Sequence, residues 1–104
     1  MSAHDQERLA DVEEAAEQGA VLEQHLIACG NIMQMGKSLY RWEGKVQDAE
    51  EVCVFYKTTR TQFPKLEQAI KELHPYDVPC IVALPIEAGH QPFLNWITEE
   101  THAR

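Results

Sequence analysis

The feature that most limits how this chain can fold is a pair of strand-like segments set around a Trp42-Glu43-Gly44-Lys45 turn. On its N-terminal side, Ile32, Met33 and Met35 lead through Leu39 and Tyr40 to Trp42, with a bend expected near Gly36. On its C-terminal side, Gln47-Asp48 adds turn chemistry, and the run 51–57 (Glu-Val-Cys-Val-Phe-Tyr-Lys) is rich in β-branched and aromatic residues. Two such segments joined by a turn form a long antiparallel hairpin. A hairpin alone is marginal in water, so the rest of the chain must cover it.

The flanking segments have helical spacing. Leu9, Val12, Ala16, Gly19, Leu22 and Leu26 predict an amphipathic helix over about residues 9–27, weakened at Gly19. Thr61 is expected to cap a second helix, with Pro64 in its first turn and Phe63, Leu66, Ile70 and Leu73 along one apolar face. His74-Pro75 should end it, because a residue before proline is pushed out of the α region. The apolar run 80–84 (Cys-Ile-Val-Ala-Leu) reads as a short buried strand ended by Pro85. Phe93, Leu94, Trp96 and Ile97 predict a short terminal helix. The order helix, strand, strand, helix, strand, helix implies an α+β sheet with helices on one face. A ferredoxin-like domain, β-α-β-β-α-β, would need one more strand at the front.

At 104 residues the chain is one domain's worth and buries roughly two-thirds of its unfolded surface, so assembly would help it. Its formal charge of −8 opposes binding to a phosphate backbone, and no basic stripe offsets it, so nucleic acid is not an expected partner. No apolar run approaches the roughly 20 residues of a membrane span. The opening Met-Ser-Ala-His-Asp-Gln-Glu has no apolar core of the kind a secretory signal carries. Three cysteines, Cys29, Cys53 and Cys80, without a CxxC, argue against a disulfide framework or a closed zinc site and fit a reducing cytoplasm. No GxSxG, P-loop or dinucleotide fingerprint marks an enzyme.

Several segments carry a resemblance. Leu26-Ile-Ala-Cys-Gly-Asn-Ile32, Ser38-Leu-Tyr-Arg-Trp-Glu-Gly-Lys-Val46, Lys57-Thr-Thr59, His74-Pro-Tyr-Asp-Val-Pro79, Ala83-Leu-Pro85 and Phe93-Leu-Asn-Trp96 resemble, in order and spacing, motifs of the CutA family of divalent-cation tolerance proteins. The likeness runs over about residues 12–98. It implies a ferredoxin-like protomer that forms a homotrimer through strand contacts, as the related PII nitrogen-regulatory proteins do. It also implies a non-enzymatic role in tolerance of divalent metals, notably copper. The alternative is a PII-like signalling or scaffolding trimer that takes a small molecule or a protein partner in clefts between subunits.

The front of the chain departs from the family pattern. Family members open with an apolar strand, but residues 1–7 lack alternation, β-branched residues and apolar mass. A single domain over 1–104 is expected, with 1–11 an atypical lead-in. An altered gene start, a poor strand forced into place and a substitute strand from this chain or a neighbour are the open explanations. A degenerate or missing first strand is the expectation.

The resemblance makes Cys29 and His74 the metal candidates, since copper, or another divalent cation with the same tastes, suits thiolate and imidazole. Some relatives carry a first-strand cysteine and a His-His pair where this chain has Leu73-His74, so it keeps fewer ligands. Cys29 reads more readily as a small buried side chain, and His74 as a hydrogen-bonded helix terminus. Tyr40, Trp42, Lys57, Tyr76 and Trp96 form a second set. They are either the walls of an intersubunit pocket or anchors of the trimer interface. Cys53 and Cys80 read as packing residues, and His4, His25, His90 and His102 as solvated.

Overall fold

The computed structural model describes residues 15–73 and 78–102. Helix α1 occupies 15–23, strand β1 Cys29–Trp42, strand β2 Lys45–Lys57, helix α2 Phe63–Leu73 and helix α3 Gln91–Glu100. The atypical segment 1–11 lies outside the described residues, as do Leu9, Val12, His74 and Tyr76.

The hairpin forms as the sequence requires, and it is longer than expected. Glu43 and Gly44 both have positive φ, 51° and 77°, which is the twist-compatible geometry of a two-residue hairpin loop. Pairing runs without interruption from Trp42↔Lys45 to Gly36↔Glu51, and then from Gln34↔Val52 to Cys29↔Lys57. Gln47 and Asp48 are therefore strand residues opposite Tyr40 and Leu39, not part of a second turn. Glu43-Gly44 already closes the reversal, so the polar pair has no turn left to make. The expected bend near Gly36 is a β-bulge, with Gly36 at φ 81°.

Helix α1 buries a different face from the one its apolar spacing predicts. Ala16, Gly19 and Leu22 are exposed, while Glu17 and Val21 are buried. The cause is a polar contact: Tyr56 O–H on β2 donates to Glu17 Oε1 at 2.5 Å, which makes a glutamate a core-facing residue. The helix also stops short of 27. His25 takes φ 59°, Leu26 N–H donates to Val21 C=O at 3.0 Å, and His25 N–H donates to Leu22 C=O at 3.0 Å. This is a Schellman ending, with the usual apolar contact between its flanks here made by Leu26 and Val21, both buried.

The turn delivers Leu26, Ile27 and Ala28 into the core. Ala28 N–H donates to Lys57 C=O at 2.8 Å, and Thr58 Oγ1 donates to Leu26 C=O at 2.6 Å, so the end of α1 is laced to the end of β2. Helix α2 begins one residue later than a Thr61 cap would allow. Its first bond, Leu66 N–H to Gln62 C=O at 2.9 Å, leaves Thr61 in the leading turn. Val21, Leu26, Ile27 and Leu66 form the core, with Tyr56, Ala69 and Ile70 packed against it. Each fully buried aliphatic contributes roughly 1.5–3 kcal/mol. Helices α1 and α2 thus cover the face of the hairpin that carries Tyr56.

Helix α3 is pinned at its C-terminal end. Gln62, buried, donates through Nε2 to Thr101 C=O, and His25 Nδ1 lies 3.1 Å from Glu100 C=O, to which its N–H donates. His25 is therefore an engaged, partly buried residue and not a solvated one. Thr101, 2% exposed, returns its hydroxyl to Ile97 C=O at 2.7 Å.

The run 80–84 is not a strand. Residues 79–87 have no ladder partner among the described residues, and Val82, Leu84 and Ile86 are exposed. Its composition suits a buried strand, but a strand exists only where a neighbour accepts its hydrogen bonds, and the described sheet has just β1 and β2.

Candidate functional site

The two candidate sets meet at one point of the described fold, where Cys29 of the first lies opposite Lys57 of the second. Cys29 opens β1 directly opposite Lys57, at the end of the hairpin where α1 returns to the sheet. It is half-buried and not in a disulfide. Lys57 Nζ donates to Asn31 Oδ1, so the ammonium lies along the edge of the strand pair two residues beyond Cys29. His74 lies outside the described residues, just after the end of α2. Among the described residues, no three or more His, Cys, Asp or Glu side chains converge where a metal ion would sit.

Tyr40 and Trp42 lie at the other end of the hairpin, opposite Gln47 and Lys45. Lys57 is ten residues from Gln47 along β2, so roughly 33 Å separates it from Tyr40 within one chain. Trp96 is on α3, stacked with Phe93 at a centroid distance of 6.0 Å and 26° between planes. Tyr76 falls among the undescribed residues. A single protomer therefore does not gather Tyr40, Trp42, Lys57 and Trp96 into one cleft.

Among the described residues, the distal hairpin is sparsely covered. Leu39 is 76% exposed and Val46 63%, so none of the described helices covers them. Among the described residues, 78–86 is a second exposed apolar strip, where Val82 and Leu84 are 72% and 79% exposed. A shallow depression lined by Leu26, Pro64, Lys65, Gln68, Ala69 and Glu72 holds none of the candidate residues. No sequence pattern points to the buried polar trio Glu17, Gln62 and Thr101, since each is a residue type ordinarily met on the surface.

A family profile described as CutA1 divalent ion tolerance protein matches residues 7–100. The chain belongs to the CutA1 family. The divalent-cation tolerance protein CutA of Thermus thermophilus is 48% identical over 82 residues, covering 79% of this chain and 80% of that protein. Mouse Protein CutA is 37% identical over 84 residues, which is 81% of this chain and 48% of the mouse protein, so the chain spans about half the length of that relative.

Solved CutA structures share the fold. The solved divalent cation tolerance protein of Thermus thermophilus superposes with a TM-score of 0.81 at 43% identity, covering 85% of each chain. The periplasmic divalent cation tolerance protein CutA of Archaeoglobus fulgidus superposes with a TM-score of 0.83 at 39% identity, over 86% of this chain and 87% of that one. The ferredoxin-like class expected from the sequence is thus the CutA1 fold, with helices against an antiparallel sheet. The family is one of divalent-cation tolerance and not an enzyme family, which favours that role over a PII-like regulatory one.

Proposed function

We propose that this CutA1 protein is a non-enzymatic, metal-ion-responsive homotrimer of one domain that works in the cytoplasm, meeting copper or another divalent cation at Cys29 and His74. The observation that carries the metal reading is the family match over residues 7–100. The described residues of one chain offer Cys29 but no cluster of three donors, so a firm divalent site needs His74 and further donors from a neighbouring copy.

Two features support assembly. The distal two-stranded ribbon, clear of the described helices, is marginal by itself, and the 79–87 strip has strand composition without a strand partner among the described residues. Pairing a neighbour's hairpin with that strip would satisfy both, and would bring the distal Tyr40 and Trp42 of one copy towards Lys57, Tyr76 and Trp96 of another. Cysteines free of disulfides agree with a reducing compartment, and no helix among the described residues is long and apolar enough to cross a membrane.

Light scattering on the eluting protein tests the assembly, with three times the 11.9 kDa chain mass expected. A monomer at micromolar concentration overturns it. Calorimetric titration with Cu(II) tests the metal reading. Binding that stays unchanged in Cys29→Ser and in His74→Ala removes those residues from the role.

A further inference from the structure

We propose that the outer face of α2 pairs with the same face of a second copy, antiparallel and about a two-fold axis, with Lys65 of each chain set against Glu72 of the other. The contact uses neither the hairpin nor Cys29 and His74, so it is separate from the homotrimer and from the metal reading.

Lys65, Gln68, Ala69 and Glu72 follow the i, i+3, i+4, i+7 spacing that lines residues up along one side of a helix. This line runs beside the stripe of Leu66 and Ile70 that packs on the core, and it borders the shallow depression that Leu26 and Pro64 complete. Lys65, Gln68 and Glu72 are exposed, and Ala69 is half-buried. Gln68 Nε2 donates to Glu72 Oε1 at 3.2 Å, which holds the carboxylate along the helix. Among the described residues, neither Lys65 nor Glu72 has an ion pair within the chain.

The charge pattern matches itself when the helix is reversed. Lys65 and Glu72 lie roughly 10.5 Å apart along the axis. An antiparallel copy centred between Gln68 and Ala69 therefore places a carboxylate opposite each ammonium, as a self-complementary two-fold contact requires. A parallel copy in register would set lysine on lysine and glutamate on glutamate. At the centre, Ala69 is small enough to let the axes approach to about 8 Å, and Gln68 keeps a second N–H and its carbonyl for its counterpart. Charge also selects the occupant. The chain carries −8, so two copies repel over most of their surfaces. The charged lining of this face is one lysine and one glutamate, net zero, over an apolar floor of Leu26, Pro64 and Ala69. It is thus a place where a like-charged copy is able to approach. One pair of 11-residue helices makes a weak, reversible contact.

Sedimentation velocity on the whole protein at low salt, from micromolar to millimolar chain, reads the pairing as a doubling of mass that grows with concentration. Lys65→Glu and Glu72→Lys each set like charges face to face twice and should weaken the doubling about tenfold. Combining Lys65→Glu with Glu72→Lys restores the match and should bring the doubling back. Each reversal puts the favoured charge at its own end of the helix, so lost doubling does not report a lost helix. High salt should weaken the doubling in the parent and the double variant alike. The doubling is read against the mass of dilute Lys65→Glu protein, whether a trimer or a single chain, so its failure is distinguishable from failure of the homotrimer. A parent that never doubles leaves the face to a small zwitterion or another protein and overturns self-pairing. A doubling untouched by the single reversals, or one that the double variant does not restore, overturns it as well.

Discussion

Gly30→Ala should destabilise the protein by about 3 kcal/mol, although Gly30 shows no positive φ that only glycine tolerates. A Cβ at this position would lie 2.7 Å from Tyr56 Cδ1, 2.9 Å from Tyr56 Cε1 and 3.1 Å from Gln18 Nε2. The ring has little freedom to retreat. Tyr56 is the cross-strand partner of Gly30, its far edge packs on the core, and its hydroxyl is tied to Glu17 Oε1. Overpacking of this kind costs about 1–3 kcal/mol. Dragging the hydroxyl from a carboxylate that is 5% exposed adds about 1–3 kcal/mol. The stiffer unfolded chain returns only about 0.4–1 kcal/mol.

Urea unfolding followed by tryptophan fluorescence, at fixed protein concentration, reads the net effect. With a slope of about 1.5 kcal/mol/M, the midpoint should fall by about 2 M. The same substitution in a Tyr56→Phe background separates the two causes, since the ring clash persists there and the hydroxyl contribution does not. The second cost should then be smaller by about 1 kcal/mol or more. An alanine variant whose midpoint equals or exceeds that of the parent would refute the close-approach reasoning.

Ile27→Ala empties a site 1% exposed at the heart of the core and should cost about 2–5 kcal/mol in the same assay. Gln62→Ala removes the side-chain donor to Thr101 C=O and should cost about 1–3 kcal/mol. Amide exchange should then quicken across Gln91–Glu100 before it does in the hairpin. The Lys37–Asp48 pair, 3.7 Å apart with both side chains mostly exposed, should matter little. Asp48→Asn is expected to shift stability by less than about 0.5 kcal/mol, and the shift should vanish in high salt.

The hairpin and the two later helices are legible in the sequence because local chemistry decides them. Glu43-Gly44 supplies the positive φ values of its loop, and Pro64 and Pro92 sit in the first turns of α2 and α3. What is not legible depends on partners distant in sequence. Apolar spacing misreads the buried face of α1, because Glu17 turns inward to a tyrosine 39 residues away and the spacing has no way to register that bond. The 80–84 run has the composition of a strand, while strand formation rests on a neighbour that composition does not name. The candidate site divides in the same way. Cys29, Lys57, Tyr40, Trp42 and Trp96 are each easily placed on an element. Within one chain the register holds Tyr40 and Trp42 at the opposite end of the hairpin from Cys29 and Lys57, a separation that residue type alone does not reveal.

The bulge between Gln34 and Gly36 also changes the phase of the hairpin. On β2 the alternation is unbroken, so Gln47, Ala49, Glu51, Cys53 and Phe55 share a face. On β1 the residues opposite them are odd-numbered up to Met33 and even-numbered from Gly36 onward. One extra residue therefore moves Tyr40 and Trp42 onto the face of Cys53 and Phe55, where an uninterrupted strand would have put Leu39 and Arg41. Were the bulge ironed flat with every residue kept, the outer hairpin would exchange its two surfaces. A neighbour meeting this face would then find a leucine and an arginine instead of two aromatics.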